Sequence, residues 1–447
     1  MRKMKDSGIE WIGEIPEDWE VLPFRHVLQE RNERNNPVVS EERLSLSIER
    51  GVTLYADKTT NLDRFKDDFA HYKLAYIGDL VMNSMNMIVG ATGVSKWFGC
   101  VSPVYYTFYD NDIEHTTAKF CEYIFRSKTM LRVLHSFGKG IYSIDRGDDK
   151  INTCRLKVAK SDLKNIKIPI PQISEQKLII QFLDKKCSEI DFDISKTRET
   201  IEEYKKLKQS IITEVVTGKV KIENGKVCGR YDSYKDSGIE WIGEIPGEWS
   251  VIRTKFISDS MSKGNGITKE QIVQNGDSPC VRYGEIYSKY NHSFSNCITK
   301  TNKSMYTNLQ YFSYGDILFA CTGELPEEIG KNIVYLGNED CLAGGDIIVM
   351  KHSQNPSFLN YVYNSYGQTQ KSLGKTKLKV VHISATEIAN IFVALPSLPV
   401  QQQIADFLDK KYSGIDKLIT KKEQLVVELE SYKKSLIYEV VTGKKEI

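Results

Sequence analysis

A long amphipathic stretch that occurs twice constrains this chain more than any other feature. The first copy begins at Ser174 and the second at Val400. Both contain the sequences FLDKK and EVVTGK, and each of these lies 225 positions further along the chain in the second copy. Because no insertion or deletion separates the shared sequences, both copies are expected to form the same structure.

Each copy is predicted to form a long helix, because its apolar positions recur at steps of three and four. In the first copy these are Ile190, Ile194, Thr197, Ile201, Tyr204, Leu207, Ile211 and Val215, and in the second they are Ile415, Ile419, Lys422, Val426, Leu429, Tyr432, Leu436 and Val440. Pro171 and Pro396 precede the helices, and Gly218 and Gly443 supply the expected glycine stop. About 40 residues at 1.5 Å each give a helix about 60 Å long. Two apolar stripes in one chain most simply face each other as a coiled pair.

The composition limits the class of protein and the kind of partner. A chain of 447 residues has room for about three domains, and 40% hydrophobic residues suffice for buried cores. A net charge of +2 excludes a grossly basic protein, so a nucleic-acid partner would be met by local patches. The nine cysteines contain no CxxC pair, which indicates reduced thiols and predicts no zinc site. Without a membrane-spanning run or a signal-peptide core, the chain is expected to be cytoplasmic and to have no membrane contact.

A second repeat opens each half of the chain. The sequence KDSGIEWIGEIP occupies residues 5–16 and returns letter for letter at residues 235–246. The chain is therefore a tandem duplication of an opening motif, a globular region and a long helix. The repeated tryptophans are better interpreted as packing anchors than as platforms for stacked bases; they are Trp11, Trp19, Trp241 and Trp249.

The two globular regions are predicted to be α/β (α+β) domains. They contain short runs rich in β-branched and aromatic residues, such as LSLSIERGVTLY and GGDIIVMK, which are typical of strands. A helical stretch is predicted near Ala118–Leu134 in the first region and near Ser357–Leu373 in the second. The predicted boundaries are 1–170 for the first domain, 171–219 for the first long helix, 220–395 for the linker, opening motif and second domain, and 396–447 for the second long helix.

The frame of the two halves is nearly identical, whereas their interiors differ. The segments that leave the globular regions, SDLKNIKIPIP and TEIANIFVALP, again lie 225 positions apart. The interiors share only short echoes, such as Gly78-Asp79-Leu80 and Gly315-Asp316-Ile317. A shared frame with two different faces is expected of a protein that reads two different things at a fixed separation.

The motifs resemble those of the specificity subunits of type I restriction-modification systems. The resemblance covers essentially the whole chain: IxWIGxIPxxW at each opening, GD[LI] and SPVYYTF in the interior, IPIPQISEQKLIIQFLDKK before the helix and EVVTGK at its end. Each motif is modest support by itself. Their order, repeated twice with matching spacing, is highly specific.

The resemblance implies a function and a set of partners. Two target-recognition domains would each contact half of a bipartite double-stranded DNA site, separated by an antiparallel pair of long helices. Those helices would dock two methyltransferase subunits, and the complex would recruit restriction subunits in a bacterial or archaeal cytoplasm. No cofactor is expected in this chain: the resemblance places S-adenosylmethionine in the methyltransferase, and ATP and Mg in the restriction subunit.

No catalytic site is predicted, so the chain is expected to be a non-catalytic subunit. An adenine-N6 methyltransferase needs a [DNS]PP[YFW] loop, and the twelve prolines include no Pro-Pro pair. The GKT sequence at residues 374–376 lacks the glycine that a phosphate-binding loop needs where Thr369 stands, and no GxGxxG follows a predicted strand. The seven histidines are isolated, which gives metal or triad sites little support.

Contact with DNA requires cations for phosphates and paired donors and acceptors for base edges. Glycine-punctuated basic segments before each domain exit are the first candidates: Lys139, Tyr142, Arg146, Lys150, Arg155 and Lys157 in the first half, and Lys371, Lys375, Lys377, Lys379 and His382 in the second. Charged loops are often only solvated, but these two segments occupy matched positions. Asp148 and Asp149 argue against contact of the whole first segment with phosphate.

Two further groups are candidates for base contacts. Polar loops follow the GD[LI] strands and carry Asn83, Ser84, Asn86, Lys96, Thr322 and Lys331. An asparagine can read adenine, but it can also simply form a turn. The last group is Lys263, Arg282 and Tyr283. Arg282 could contact guanine, or it could pair with Glu285.

We therefore expect the two domains to read half-sites whose separation is set by helix length. Successive accessible major-groove faces lie about 34 Å apart, which helices of about 60 Å can bridge. One alternative is an interaction scaffold that binds no DNA. A self-sufficient restriction enzyme or methyltransferase is a further alternative, and the missing Pro-Pro loop opposes it.

Overall fold

The computed structural model describes residues 2–57, 68–111, 114–141, 155–323, 325, 328–375 and 381–447, and it divides the chain into two units. Unit 1 contains Met1–Arg198 and Gln424–Ile447, and unit 2 contains Glu199–Glu423. Each long helix contributes one part to each unit. The division between the units therefore falls inside the helices, whereas the sequence suggested boundaries at the helix ends.

Nine helices of the described residues are used below: α1 (Thr116–Arg126), α2 (Lys128–Ser136), α3 (Lys160–Asn165), α4 (Ile173–Val216), α5 (Tyr283–Ser288), α6 (Pro356–Tyr363), α7 (Tyr366–Ser372), α8 (Ala385–Ala389) and α9 (Leu398–Val441). The two long helices, α4 and α9, confirm the helical periodicity of the duplicated stretch. The predicted helical stretches in the globular regions are confirmed as the pairs α1–α2 and α6–α7. Ser127 and Ser365 interrupt these pairs.

The strands of unit 1 form small antiparallel sheets. They are β1 (Met4–Asp6), β2 (Glu14–Pro16), β3 (Glu20–Pro23), β4 (Gln29–Arg31), β5 (Leu44–Ser47), β6 (Gly51–Leu54), β7 (Lys73–Ala75), β8 (Leu80–Asn83), β9 (Thr92–Val94), β10 (Gly99–Val101), β11 (Tyr105–Tyr109), β12 (Gly138–Ile141), β13 (Arg155–Val158) and β14 (Lys167–Ile170). The largest has the order β4-β11-β8-β9, and helix α1 packs against β8 and β9. Two-stranded sheets are β1–β2, β3–β14, β5–β6, β7–β10 and β12–β13.

The strands of unit 2 form a different interior. They are β15 (Ile222–Glu223), β16 (Lys226–Val227), β17 (Tyr234–Asp236), β18 (Glu244–Pro246), β19 (Ser250–Arg253), β20 (Ser258–Lys263), β21 (Ser278–Val281), β22 (Ser293–Phe294), β23 (Thr299–Thr301), β24 (Tyr311–Phe312), β25 (Ile317–Ala320), β26 (Thr322–Gly323), β27 (Asn332–Tyr335), β28 (Cys341–Ala343), β29 (Ile347–His352), β30 (Val381–His382) and β31 (Phe392–Leu395). One sheet has the order β20-β29-β25-β27-β22, and another has the order β23-β21-β28-β24. Parallel pairs occur in both, between β22 and β27 and between β21 and β28.

The duplicated frame is held together by direct strand pairing in each unit. In unit 1, β3 follows the opening motif and pairs with the exit strand β14; in unit 2, β19 pairs with β31 in the same way. Both pairs are antiparallel. The start and end of each globular region therefore lie side by side, and the interior is a long insertion between two paired strands.

The opening motif packs against the end of a long helix in both units. Gly218 ends α4 with a positive φ of 71°, and a methyl group there would overlap the ring of Pro246 and lie 3.2 Å from Trp249. Gly443 ends α9 in the same conformation, with φ 69°, against Pro16 and Trp19. Trp19 and Trp249 are 1% exposed, which confirms their interpretation as packing anchors. The first opening motif thus contacts the end of the second helix, and the second motif contacts the end of the first.

The aspartate of FLDKK ties each globular region to its helix. In unit 1 the hydroxyl of Tyr123 on α1 donates to Asp184 on α4. In unit 2 the hydroxyl of Tyr361 on α6 donates to Asp409 on α9 at 2.8 Å. His292 stacks on Tyr361 with ring centroids 4.0 Å apart, and burial lowers the pKa of His292 to about 3, so this ring is neutral at pH 7.

Charged pairs show the register of the two helices in unit 1. Lys433 Nζ lies 2.6 Å from Asp191 Oδ2, and Arg198 Nη2 lies 2.8 Å from Glu430 Oε1. Residue numbers rise along α4 while they fall along α9, so the helices run antiparallel here. In unit 2 the equivalent lysine, Lys208, lies 2.5 Å from Asp416.

The apolar stripe follows the prediction except at one level. Ile190, Ile194, Thr197, Ile201 and Val215 are buried on α4, as are Ile415, Ile419, Val426, Leu436 and Val440 on α9. Leu207 and Tyr432 are about half exposed, at 48% and 51%, so their assignment to the stripe was wrong. The next residues, Lys208 and Lys433, turn inward and form the ion pairs instead. The period of a regular helix does not match a fixed three-four spacing, so the residue that faces the partner helix changes along the chain. Here the facing residue shifts by one, from Leu207 to Lys208 and from Tyr432 to Lys433.

The close contact at the helix ends predicts that Gly218→Ala lowers the free energy of unfolding by about 3 kcal/mol, because the added methyl group combines backbone strain with overlap. Gly238→Ala is the matched control: its φ of 70° is the same, but nothing lies within 4 Å of a methyl group there. This control should cost about 1 kcal/mol. Denaturant unfolding followed by tryptophan fluorescence measures both, and equal losses would contradict the packing argument.

Candidate nucleic-acid interface

Each unit joins the segment after its GD motif to the strand before its exit. In unit 1 the N–H of Val158 donates to the carbonyl of Ser84 at 3.0 Å. In unit 2 the N–H of Ile383 donates to the carbonyl of Cys321 at 2.9 Å. Val158 and Ile383 are 225 positions apart, so the two hydrogen bonds are equivalent. We call the surface around the first bond the unit 1 face and the surface around the second the unit 2 face.

The GD motif itself is a turn that starts the strand leading to each face. Gly78 and Gly315 share a φ of 89°, a conformation that favours glycine. Asp79 Oδ2 accepts the N–H of Tyr76 at 2.9 Å, and Asp316 Oδ2 accepts the N–H of Ser313 at the same distance. The motif therefore recurs because the same turn is built twice.

Two lysines stand opposite each other on the unit 1 face. Lys139 on β12 is directly opposite Lys157 on β13, and both are exposed. Lys139 makes a long ion pair of 3.4 Å with Asp162, and 80% of its side chain is exposed. Such a pair of exposed ammonium groups suits contact with adjacent phosphates. Asn86 and Lys96 are also exposed in this unit.

Two of the predicted contact residues of unit 1 have structural roles instead. Asn83 is 9% exposed, and its side-chain oxygen accepts the N–H of Met85 at 3.0 Å, which forms a turn. Ser84 is fully buried beneath the β13 strand. Their side chains have no access to a base edge, so the prediction is corrected for both. The sequence shows that this loop is polar, but it does not show that the loop folds beneath β13.

Several predicted residues lie outside the described part of the chain. Tyr142, Arg146 and Lys150 fall within residues 142–154, and Lys377 and Lys379 fall within residues 376–380. The backbone of Arg155 opens β13 opposite Ile141. For these positions the sequence prediction stands as a prediction.

The unit 2 face brings Thr322, His382 and Lys375 together. Thr322 on β26 is directly opposite His382 on β30, with Thr322 Oγ1 3.3 Å from His382 Nδ1. The ammonium group of Lys375 donates to the carbonyl of His382 and lies 2.8 Å from Glu387 Oε1. Because Glu387 compensates this charge, Lys375 would have to exchange its partner to bind a phosphate.

Two other lysines of unit 2 differ in how free they are. Lys331 Nζ lies 5.5 Å from the ring centre of Tyr287, and burial lowers the pKa of Lys331. Lys263 is two thirds exposed, with a long contact of 3.4 Å to Asp346. Lys263 is therefore the more available cation for a phosphate, and Lys331 is partly committed to the protein.

Arg282 and Lys371 were candidates for DNA contact, but their side chains bond to groups of the protein instead. Arg282 precedes α5, its N–H donates to Glu285 at 2.9 Å, and its guanidinium lies 3.4 Å from the same buried carboxylate. The pairing alternative therefore describes Arg282. Lys371 on α7 is 2% exposed and has no access to DNA. Tyr283 remains 42% exposed at the start of α5.

The described residues contain no cluster of three or more His, Cys, Asp or Glu side chains that could hold a metal ion. None of the described helices combines the length and apolar character needed to cross a membrane. The chemistry of the two faces is that of cations, hydroxyl groups, amides and one imidazole. These groups can bind phosphates and base edges.

Comparison with known proteins gives one consistent family. Residues 149–203 and 246–428, more than half of the chain, match the family described as "Type I restriction modification DNA specificity domain". A curated relative, the putative type I restriction enzyme MjaX specificity subunit of Methanocaldococcus jannaschii, is 24% identical over 97% of this chain and 95% of its own length.

Two solved structures share the fold. A chain from a study of complex assembly and conformational transition of the type I R-M system matches with a TM-score of 0.68 and 14% identity, over 96% of this chain and 99% of that one. The HsdS subunit from Thermoanaerobacter tengcongensis matches with a TM-score of 0.50 and 15% identity, over 96% and 98%.

The different environments of the basic residues predict different effects of their removal. Replacing Lys139 and Lys157 together with glutamine should reduce the salt dependence of DNA binding, lowering the slope of log K against log salt by up to about two. Arg282→Gln should leave that slope unchanged and lower the unfolding midpoint, because its partner is the buried Glu285. Binding titrations of the assembled complex over a range of salt concentrations measure the slope. A lower slope for Arg282→Gln and an unchanged slope for the double lysine variant would show that the contact residues are assigned wrongly.

Proposed function

The chain belongs to the family of type I restriction-modification DNA specificity subunits, and from this premise we propose that its two units read the two halves of an asymmetric, bipartite DNA site. The observation that carries this proposal is one frame with two interiors. The pairs β3–β14 and β19–β31 have the same place and direction, whereas the sheets between them differ in order and in parallel pairing. Different interiors present different side chains, so the two half-sites differ in sequence.

Each face combines groups for affinity with groups for sequence. In unit 1 the exposed Lys139 and Lys157 provide phosphate contacts, and Asn86 offers a donor and an acceptor to a base edge. In unit 2 Lys263 provides the cation, and Thr322 with His382 provides the polar groups. Because the net charge of the chain is only +2, we expect tight binding to require the assembled complex.

We propose that the helices set the separation between the half-sites. Each of α4 and α9 is a continuous helix of 44 residues, and each contributes to both units. The ion pairs Lys433–Asp191 and Lys208–Asp416 lie at equivalent positions of the two units, so the helices pair in one register. A change of helix length in that register would therefore change the number of unspecified base pairs.

The same helices are proposed to dock the methyltransferase subunits. Exposed apolar side chains outside the buried stripe include Leu178, Phe192 and Leu207 on α4, and Leu418, Val427 and Tyr432 on α9. Single exposed apolar residues are common, but their repetition along both helices suits a protein partner. Methyl transfer from S-adenosylmethionine and ATP- and Mg-dependent restriction would then be performed by partners in the cytoplasm, and this chain would contribute recognition without catalysis.

The test is the pattern of methylated adenines in cells that express this chain with its methyltransferase partner. Single-molecule sequencing should reveal two different half-sites separated by a fixed gap. A continuous palindromic motif would contradict the proposal. Absence of any sequence-specific, salt-sensitive DNA binding by the complex would favour the scaffold alternative instead.

Lengthening both helices gives a sharper test of the spacing. Seven residues inserted after Glu199 in α4, and seven after Gln424 in α9, keep the apolar stripe in phase and add about 10 Å. The gap should grow by about three base pairs, since each base pair occupies about 3.4 Å, while both half-sites stay the same. Seven residues inserted between Asn224 and Gly225, in the β15–β16 turn, are the control and should leave the gap unchanged. An unchanged gap after helix extension would contradict a spacing role for the helices.

A further inference from the structure

Side chains of unit 2 donate hydrogen bonds to backbone carbonyls of described residues between the start of β26 and the start of β27. The hydroxyl of Tyr287 donates to the carbonyls of Thr322 and Glu328, at 2.8 and 2.9 Å. The side-chain amide of Gln368 on α7 donates to the carbonyl of Ile329 at 3.0 Å. These three carbonyl groups therefore point toward side chains of unit 2. The same segment carries Thr322 and Lys331, two candidate contact residues.

The side-chain amino group of Lys371 is the most unusual of these supports. It donates to the carbonyl of Gly330 at 2.7 Å and to the side-chain oxygen of Asn332 at 2.9 Å, and the residue is 2% exposed. Both acceptors are neutral, and burial lowers the pKa of Lys371 well below that of a free lysine. Burying a lysine side chain here costs desolvation free energy in either protonation state, whereas a methionine would fill the same space without a polar group. Its presence points to a requirement for these two hydrogen bonds.

The hydrogen bonds continue from Lys371 into the core. Asn332 Nδ2 donates to Asn360 Oδ1 at 2.7 Å, and Asn360 Nδ2 donates to the carbonyl of His292 at 2.8 Å. Asn332 and Asn360 are 1% and 0% exposed. The segment is thereby connected to α6 and to the His292 ring that stacks on Tyr361. A fully bonded buried network of this kind has few alternative arrangements.

We propose that Lys371 is a positioning residue for specificity: it holds the backbone that presents Thr322 and Lys331, and so fixes which bases the unit 2 face accepts. The proposal rests on the proposed DNA-reading function and deepens it. Lys371 itself does not touch DNA. It acts through Gly330 and Asn332, on either side of Lys331.

Unit 1 secures the matching segment in a different way. Ser127 and Ser365 both donate back to a carbonyl three residues earlier, in Ile124 and Val362, which aligns α2 with α7. On that alignment Val133 stands where unit 2 has Lys371. The unit 1 segment after β8 instead buries Met87 and Ile88 and packs against α2. The lysine support therefore belongs to one reading unit, and its loss should affect one half-site.

The first test is Lys371→Met, which removes the donor and keeps an unbranched side chain of similar length. In the assembled complex, discrimination at one or more positions of the half-site read by unit 2 should fall about tenfold, as expected when a base contact is misplaced. The other half-site should remain unchanged. Phe312→Leu, a core change in the same unit, is the control: it lowers stability and should leave both half-sites as they are.

The second test needs no DNA and separates positioning from reading. In the isolated chain, hydrogen exchange at the amides of Ala320 and Lys331, which bond to the Lys331 and Glu328 carbonyls, should accelerate in Lys371→Met by more than the loss of global stability explains. In Phe312→Leu the acceleration should not exceed that loss. If Lys371→Met does not fold, Lys371→Gln retains a donor and should show the same changes to a smaller degree. Unchanged exchange together with an unchanged motif would overturn the inference, and so would equal loosening of both half-sites. Accelerated exchange in the isolated Lys371→Met chain, together with a wild-type complex that shows no bipartite motif, would refute the proposed function and leave the positioning role.

Discussion

The contact between a helix-ending glycine and the ring of a proline is the constraint on which the frame depends. Gly218 meets Pro246 and Trp249, and Gly443 meets Pro16 and Trp19, without room for a methyl group. The helix ends, the opening motifs and the β3–β14 and β19–β31 strand pairs are thus joined by direct contacts. A set of contacts with so little free space explains why these segments are nearly identical in the two halves. The interiors are inserted between paired strands and are free to differ.

The periodic and duplicated features were predictable from the sequence, because they depend on local spacing. Apolar spacing and sequence repeats predict the long helices and the α1–α2 and α6–α7 stretches. They also predict that Trp19 and Trp249 are buried. The sequence did not predict that Lys208 faces the partner helix in place of Leu207, because this depends on contacts with a helix more than 200 residues away. The burial of Ser84 and Lys371 also needed the tertiary fold. Both are polar residues of the kind expected at a protein surface. They are buried only because β13 packs over Ser84 and the β26–β27 segment packs over Lys371.

The electrostatics of the two faces indicate how affinity and specificity are divided. Lys375 is paired with Glu387, Arg282 with Glu285, and Lys331 is partly buried, so these three candidate cations of unit 2 are engaged within the protein. Lys139 and Lys157 give unit 1 a more open basic pair. Under the proposed function, specificity comes from the polar groups that the interiors position. Under that proposal, most of the affinity comes from the assembled complex.

In the proposed function, the interiors read the DNA sequence and the frame only holds them. Replacing residues 254–391 with residues 24–166 keeps β19 and β31 and gives both halves the interior of unit 1. Single-molecule sequencing of methylated adenines should then show the unit 1 half-site twice, as an inverted repeat with a fixed gap. Retention of the original second half-site would contradict the account, because recognition would then reside in the frame.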